Sequence, residues 1–174
     1  MYWNRKHVLI CTANHCMQKG ANNVAGRLRI ELKRRGLDAG LMVNTCDSID
    51  LCDIGPNIVV YPEGVIYSHV QVSDLNDIIA HLLGGPVVER LVLTATTPEE
   101  AIRQAVYAEA IRADQLTADH FAALAGRHEL DDAWIHEQAR RGFIARKELD
   151  GVPVVTVTSK ARARYGLAAV GAGP

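Results

Sequence analysis

Apolar and polar positions fall in blocks along this chain, and the period changes from block to block. His7 to Ile10 reads as a short buried strand ending at Cys11. A polar stretch, TANHCMQKGANN, follows and reads as a loop. In VAGRLRIELKRRG, Val24, Leu28 and Leu32 recur at i, i+4 and i+8, which predicts a helix with one apolar face. Arg34 and Arg35 suit its dipole, and Gly36 suits its carboxyl end. Gly40 to Val43 predicts a second strand. A strand–helix–strand order with short links predicts a right-handed crossover and a parallel pair.

NIVVYPEGVIY then predicts a hairpin: Ile58 to Tyr61, a turn at Pro62-Glu63-Gly64, and Val65 to Tyr67. Ser73 is placed to cap the next helix, whose apolar face is Leu75, Ile78, Ile79 and Leu82. Gly84-Gly85-Pro86 stops it. The order βαβ, then ββα, is the core order of a thioredoxin-like fold, with a small mixed sheet covered by helices. From about Ala95 the pattern changes. Thr97-Pro98-Glu99-Glu100 opens a helix running to about Ala113, Thr117 opens a second, and Asp131-Asp132 opens a third. FIARKEL, an Asp150-Gly151 turn, VPVVTVT and a basic tail SKARARYG complete the chain before AAVGAGP, which is expected to be disordered. Three helices and a hairpin make the winged-helix pattern. The expected class is therefore α/β, with a thioredoxin-like domain over residues 1–95 and a small winged-helix-like α+β domain over 96–174.

Composition narrows the picture. Of 174 residues, 48% are hydrophobic, enough for a buried core, and only 5% are aromatic, so a mainly aliphatic core is expected. A formal charge of −1 gives no global argument for nucleic acid or a membrane surface. No stretch reaches the ~18 apolar residues of a membrane span. The amino-terminal apolar run is too short for a signal peptide and reads as a strand. The expected location is the cytoplasm. All four cysteines lie between Cys11 and Cys52. In a reducing compartment that clustering argues for metal or redox chemistry rather than a disulfide framework.

The pairs are C-x4-C (Cys11, Cys16) and C-x5-C (Cys46, Cys52). Each follows a strand of the expected parallel pair, so both arise at one sheet edge. Four thiolates there can hold zinc or a [2Fe–2S] cluster. Structural zinc usually takes C-x2-C knuckles, and neither pair has that spacing. Longer spacings suit two separate irons. ICTANHCMQKGA, then CDIGPNIVVYPEGVIYSHV, then NDIIAHLLGG, resembles the thioredoxin-like [2Fe–2S] ferredoxin family over about residues 5–92. The resemblance implies a cluster on four cysteines near the surface, one-electron transfer and a homodimer. Cys11 and Cys16 match the first ligand pair and Cys52 the last. The family's usual C-x3-C would put a cysteine at position 48, where this chain has Ser48. Three readings stay open: Cys46 as fourth ligand, which is favoured; Ser48 as an alkoxide ligand; or three cysteines and a labile position.

His15 and His69 read as ordinary loop histidines, because the C-x-H pairs of a Rieske site are absent. Asn14, Asn22, Asn23, Asn44 and Thr45 supply amides and hydroxyls that either tune a cluster or simply make turns. In the second half, Thr96 to Glu137 carries nine acids against three arginines, and Gln138 onward carries seven bases against two acids. A basic wing and tail can meet phosphates, but acids open the helix that would read DNA. No general base, nucleophile or phosphate-cradling loop is evident, so an enzyme is not expected. The leading expectation is a one-electron carrier with a redox partner protein, its second module used for docking or oligomerisation. The alternative is an iron–sulfur redox-sensing winged-helix transcription regulator, with DNA as the less favoured partner.

Overall fold

A computed structural model describes residues 3–113 and 115–167, with Cys52 described by its main chain. The expected disorder of AAVGAGP falls outside the described residues. The chain divides into two compact units, 1–93 and 94–174.

In the first unit β1 (Lys6–Cys11) is followed by α1 (Asn14–Gln18), α2 (Ala21–Arg34) and β2 (Leu41–Cys46). Then come β3 (Ile58–Tyr61), β4 (Val65–Tyr67) and α3 (Leu75–Leu82). The sheet order is β2-β1-β3-β4, with β1 and β2 parallel and the other neighbours antiparallel. That is the small mixed sheet the pattern predicted. Its core joins Val8 and Ile10 of β1 to Leu28 and Leu32 of α2 and to Ile78, Ile79 and Leu82 of α3. The aliphatic expectation holds in this unit, where Tyr67 is the aromatic member of the buried cluster.

Three local expectations change. The polar loop after β1 contains a short helix, α1, because Cys16 is fully buried and anchors it. Gly20, at φ 94°, separates α1 from α2 in a backbone region that favours glycine. The second strand continues three residues past Val43 to Cys46. Ser73 is not the cap. Gln71 and Asp74 form a capping box, and the Gln71 N–H donates to Asp74 Oδ2 at 2.7 Å. The helix stop is as expected. Gly84 takes φ 98°, and a Cβ on Gly85 would lie 2.8 Å from the Ala80 carbonyl oxygen.

A buried polar pair sits behind the hairpin. The Tyr67 hydroxyl accepts the Val88 N–H at 3.2 Å and lies 2.7 Å from His81 Nδ1. Which of the two donates across this contact depends on the tautomer of His81. Burial, then the charge of Lys6, holds His81 below the usual histidine value of 6.5.

The second unit contains α4 (Pro98–Ala110), α5 (Ala118–Gly126), α6 (Asp132–Arg140), β5 (Ile144–Leu149), β6 (Val152–Val157) and α7 (Ser159–Arg164). Thr117 and Asp131 cap α5 and α6 as expected, accepting the His120 and Trp134 N–H groups. Thr97 stands at the α4 cap position, but its hydroxyl accepts the Thr94 N–H instead. The basic tail is helical as α7, because Thr158 caps it and Ala161 is fully buried. β5 and β6 pair antiparallel, and Thr117 bridges to Val154 of β6.

This unit overturns the aliphatic expectation. Tyr107, Phe121, Phe143 and Tyr165 are buried together, and Trp134 packs against them. The rings of Tyr107 and Tyr165 are 5.1 Å apart, and those of Phe121 and Trp134 stack at 6.2 Å. The low aromatic count hides this concentration. Beside the rings, buried Glu100 accepts from Arg103 Nη1 and Arg164 Nη2, each at 2.8 Å. Among the described residues, no helix is long and apolar enough to cross a membrane.

Two predictions follow from these buried polar groups. Between the depressed folded pKa of His81 and 6.5, the unfolded chain binds a proton that the folded chain does not. Stability is therefore complete above about pH 6.5 and falls as the pH drops from there toward the folded value. Urea midpoints measured from about pH 7 to about pH 5 will decline, and by less in His81→Gln. Glu100→Ala removes the carboxylate between two guanidinium groups and will cost about 3–5 kcal/mol in equilibrium unfolding.

Candidate metal centre

The parallel register decides which sulfurs meet. β1 and β2 pair from Lys6 with Leu41 through to Cys11 with Cys46, so these two cysteines are lateral neighbours on the last rung. Thr12 then fixes the Cys46 carbonyl, to which its N–H and its hydroxyl both donate at 2.9 Å. On the other side of β1, the Cys11 N–H donates to the Asn57 carbonyl at 3.1 Å, one step beyond the Ile10–Ile58 pair. Cys46, Cys11 and Asn57 therefore stand in a row across three strands.

Cys16 approaches this row from α1. Cys11 and Cys16 are both fully buried and cluster with Ala21, and partly buried Cys46, Ala13 and Ile49 pack against them. A short 3₁₀ turn begins at Cys52 and ends at Ile54. Lys19, just after α1, donates to the Asp53 carbonyl and ties that turn to the first cysteine segment. His69 closes it from behind, its N–H donating to the Ile54 carbonyl at 2.9 Å. The expected juxtaposition of the two cysteine segments is therefore present, although the sulfurs do not lie on simple loops. Cys11 and Cys46 end strands, Cys16 is helical, and Cys52 opens a turn.

The predicted residues separate by burial. Ser48 is exposed and its hydroxyl accepts the Asp50 N–H at 3.0 Å, a turn that lets Asp50 adopt φ 59°. Asn14, Asn22, Asn23, Asn44 and Thr45 are all exposed. They are surface residues, but not the turn residues expected: Asn14 lies in α1, Asn22 and Asn23 in α2, and Asn44 and Thr45 in β2. His15 lies within α1 beside Cys16, half-buried.

Asn57 is the residue that the sequence pattern did not single out. It is fully buried, and its amide nitrogen donates to the Leu51 carbonyl at 2.6 Å and to Cys16 Sγ at 3.9 Å. The contact with Leu51 fixes the amide orientation, because only the NH₂ end can face a carbonyl oxygen at that distance. Its Oδ1 is buried without a hydrogen-bond partner among the described residues. A polar side chain immediately before the all-apolar run Ile58 to Val60 was the available signal.

The donors suit a two-iron cluster. The metal-binding form of a cysteine is the thiolate, so the bond from Cys11 Sγ to the Asp47 carbonyl, 3.2 Å, belongs to the metal-free thiol. Among the described residues, no three His, Cys, Asp or Glu side chains converge as a single-ion site requires. A [2Fe–2S] cluster asks for two sulfurs at each of two irons, which two separate cysteine segments can supply. The Asn57 amide contact to Cys16 Sγ and the apolar surroundings suit the hydrogen bonding and low dielectric that such sulfurs need.

The fold and site thus define a class: a small mixed α/β domain that gathers soft sulfur donors at one edge of its sheet. No family model matches the chain. A [2Fe–2S] ferredoxin of Clostridium pasteurianum is 33% identical over 96 residues, an alignment spanning 50% of this chain and 94% of that protein. A [2Fe–2S] ferredoxin of Aquifex aeolicus is 32% identical over 106 residues, spanning 53% of this chain and 93% of that protein. The crystal structure of a wild-type thioredoxin-like [2Fe–2S] ferredoxin from Aquifex aeolicus aligns at 31% identity and a TM-score of 0.49, over 52% of this chain and 98% of that one. On the sequence identities, the chain belongs to the [2Fe–2S] ferredoxin family, through about half of its length.

Proposed function

We propose that this chain is a one-electron carrier that holds a [2Fe–2S] cluster on Cys11, Cys16, Cys46 and Cys52. The observation that carries the reading is the lateral pairing of Cys11 with Cys46, with Cys16 packed in the same cluster. When bound, the cluster supplies a site that takes up and releases one electron without bond rearrangement in the protein. The chain's part is to hold the sulfurs, exclude bulk water from Cys11 and Cys16, and leave Cys46 partly open toward a redox partner protein.

Cys46 is the fourth ligand in this reading. It lies in the cysteine cluster, while the Ser48 hydroxyl is engaged in its own turn. The second unit is read as winged-helix-like, supported by helices α4, α5 and α6, the hairpin that follows them and the Thr117–Val154 bridge. It serves partner docking or assembly of a homodimer, in the cytoplasm. The regulator alternative is not favoured. The named relatives are ferredoxins, acids occupy the start of α6, and Arg140 is held in a forked contact by Glu137 at 2.7 and 2.8 Å.

Anaerobic purification followed by iron and sulfide analysis, visible spectra and electron paramagnetic resonance tests the carrier reading. About two irons and two sulfides per chain, with a dithionite-reducible chromophore, are expected. A colourless protein with stoichiometric zinc would refute it. The ligand assignment predicts that Cys46→Ala loses the normal cluster spectrum and that Ser48→Ala keeps it. The opposite pair of results would move the fourth ligand to Ser48.

A further inference from the structure

We infer that Asn57 is a positioning residue for the metal–sulfur site: its buried amide donates to Cys16 Sγ and thereby favours the reduced state. The inference rests on the cluster reading above. Three observations carry it. Asn57 occupies the third place in the row Cys46–Cys11–Asn57, and its own carbonyl accepts the Cys11 N–H. Its two amide protons have two separate acceptors, the Leu51 carbonyl at 2.6 Å and Cys16 Sγ at 3.9 Å. Its Oδ1 is buried and has no partner among the described residues.

The third observation argues against a packing role. An isosteric leucine would fill the space without an unpaired oxygen, which is usually the more stable solution in a core. The amide therefore earns its place through its N–H groups. One of them holds the loop that leads to Cys52, and the other meets a ligand sulfur.

The electrical consequence has a definite sign. One electron delivered by a redox partner, or by dithionite in the test, adds one negative charge to the metal–sulfur unit. A hydrogen-bond donor on a ligand sulfur stabilises that charge more than it stabilises the oxidised state. In buried surroundings the difference is weakly screened. Asn57 therefore raises the reduction potential relative to a side chain without a donor. The exposed amides at positions 14, 22, 23 and 44 have no such burial.

The test uses the full chain, anaerobically loaded, with Asn57→Leu as the first variant and Asn57→Ser, which keeps a short donor, as the second. Iron and sulfide counts are taken first, then a redox titration followed by electron paramagnetic resonance. Loaded Asn57→Leu is expected to show a three- to tenfold smaller reduction equilibrium constant, a negative shift of up to about 59 mV. Asn57→Ser is expected to shift less. A loaded leucine variant with an unchanged potential overturns the role of Asn57 while leaving the carrier reading intact. Wild-type protein without iron and sulfide overturns the carrier reading itself, and this role with it. If neither variant loads, wild-type protein labelled with ¹⁵N at the asparagine amides decides the matter. A nitrogen hyperfine coupling to the reduced site that persists in Asn14→Ala and Asn44→Ala supports the contact, and no coupling refutes it.

Discussion

Parallel pairing of β1 with β2 is the constraint on which the site depends. Two residues 35 positions apart become neighbours because the register runs unbroken from Lys6–Leu41 to Cys11–Cys46. A one-residue slip would turn every β2 side chain to the opposite face and separate the sulfurs. The register is held by the buried apolar set that β1 contributes, Val8 and Ile10, packed against α2 and α3. The chemistry at the sheet edge is thus secured by hydrophobic packing several residues away from it.

Around that edge, the protein concentrates soft and polar groups where water is scarce. Cys11 and Cys16 are inaccessible, and Asn57 lies among them with both amide protons directed at acceptors. Buried polar groups are costly unless paired, so their arrangement is specific rather than incidental. A partly exposed Cys46 on the same rung gives the site one open side. Burial and partial exposure of sulfur are therefore divided between residues of a single row.

The second unit obeys a different economy of side chains. Five of its aromatic residues form one packed group, and Glu100 sits between two arginines at its margin. The curated relatives align with about half of the chain. What this unit adds has to be understood from its own surface and core.

Much of the architecture was legible in the sequence because periodicity reports which face of an element is buried. The strands, the face of α3 and the caps Thr117 and Asp131 could all be read directly. Local sequence was less reliable where long-range burial overrode it. A polar segment became α1 because Cys16 is anchored, Gln71 and Asp74 displaced Ser73 as the cap, and a basic tail became α7 over Ala161. Asn57 could not be distinguished from five other polar residues near the cysteines, because type and spacing do not encode depth. The sequence by itself determined most of the elements and the clustering of the cysteines in one segment of the chain. Tertiary structure alone decided which donors meet and which amide is buried beside them, because register and burial are properties of strands packed together rather than of any one segment.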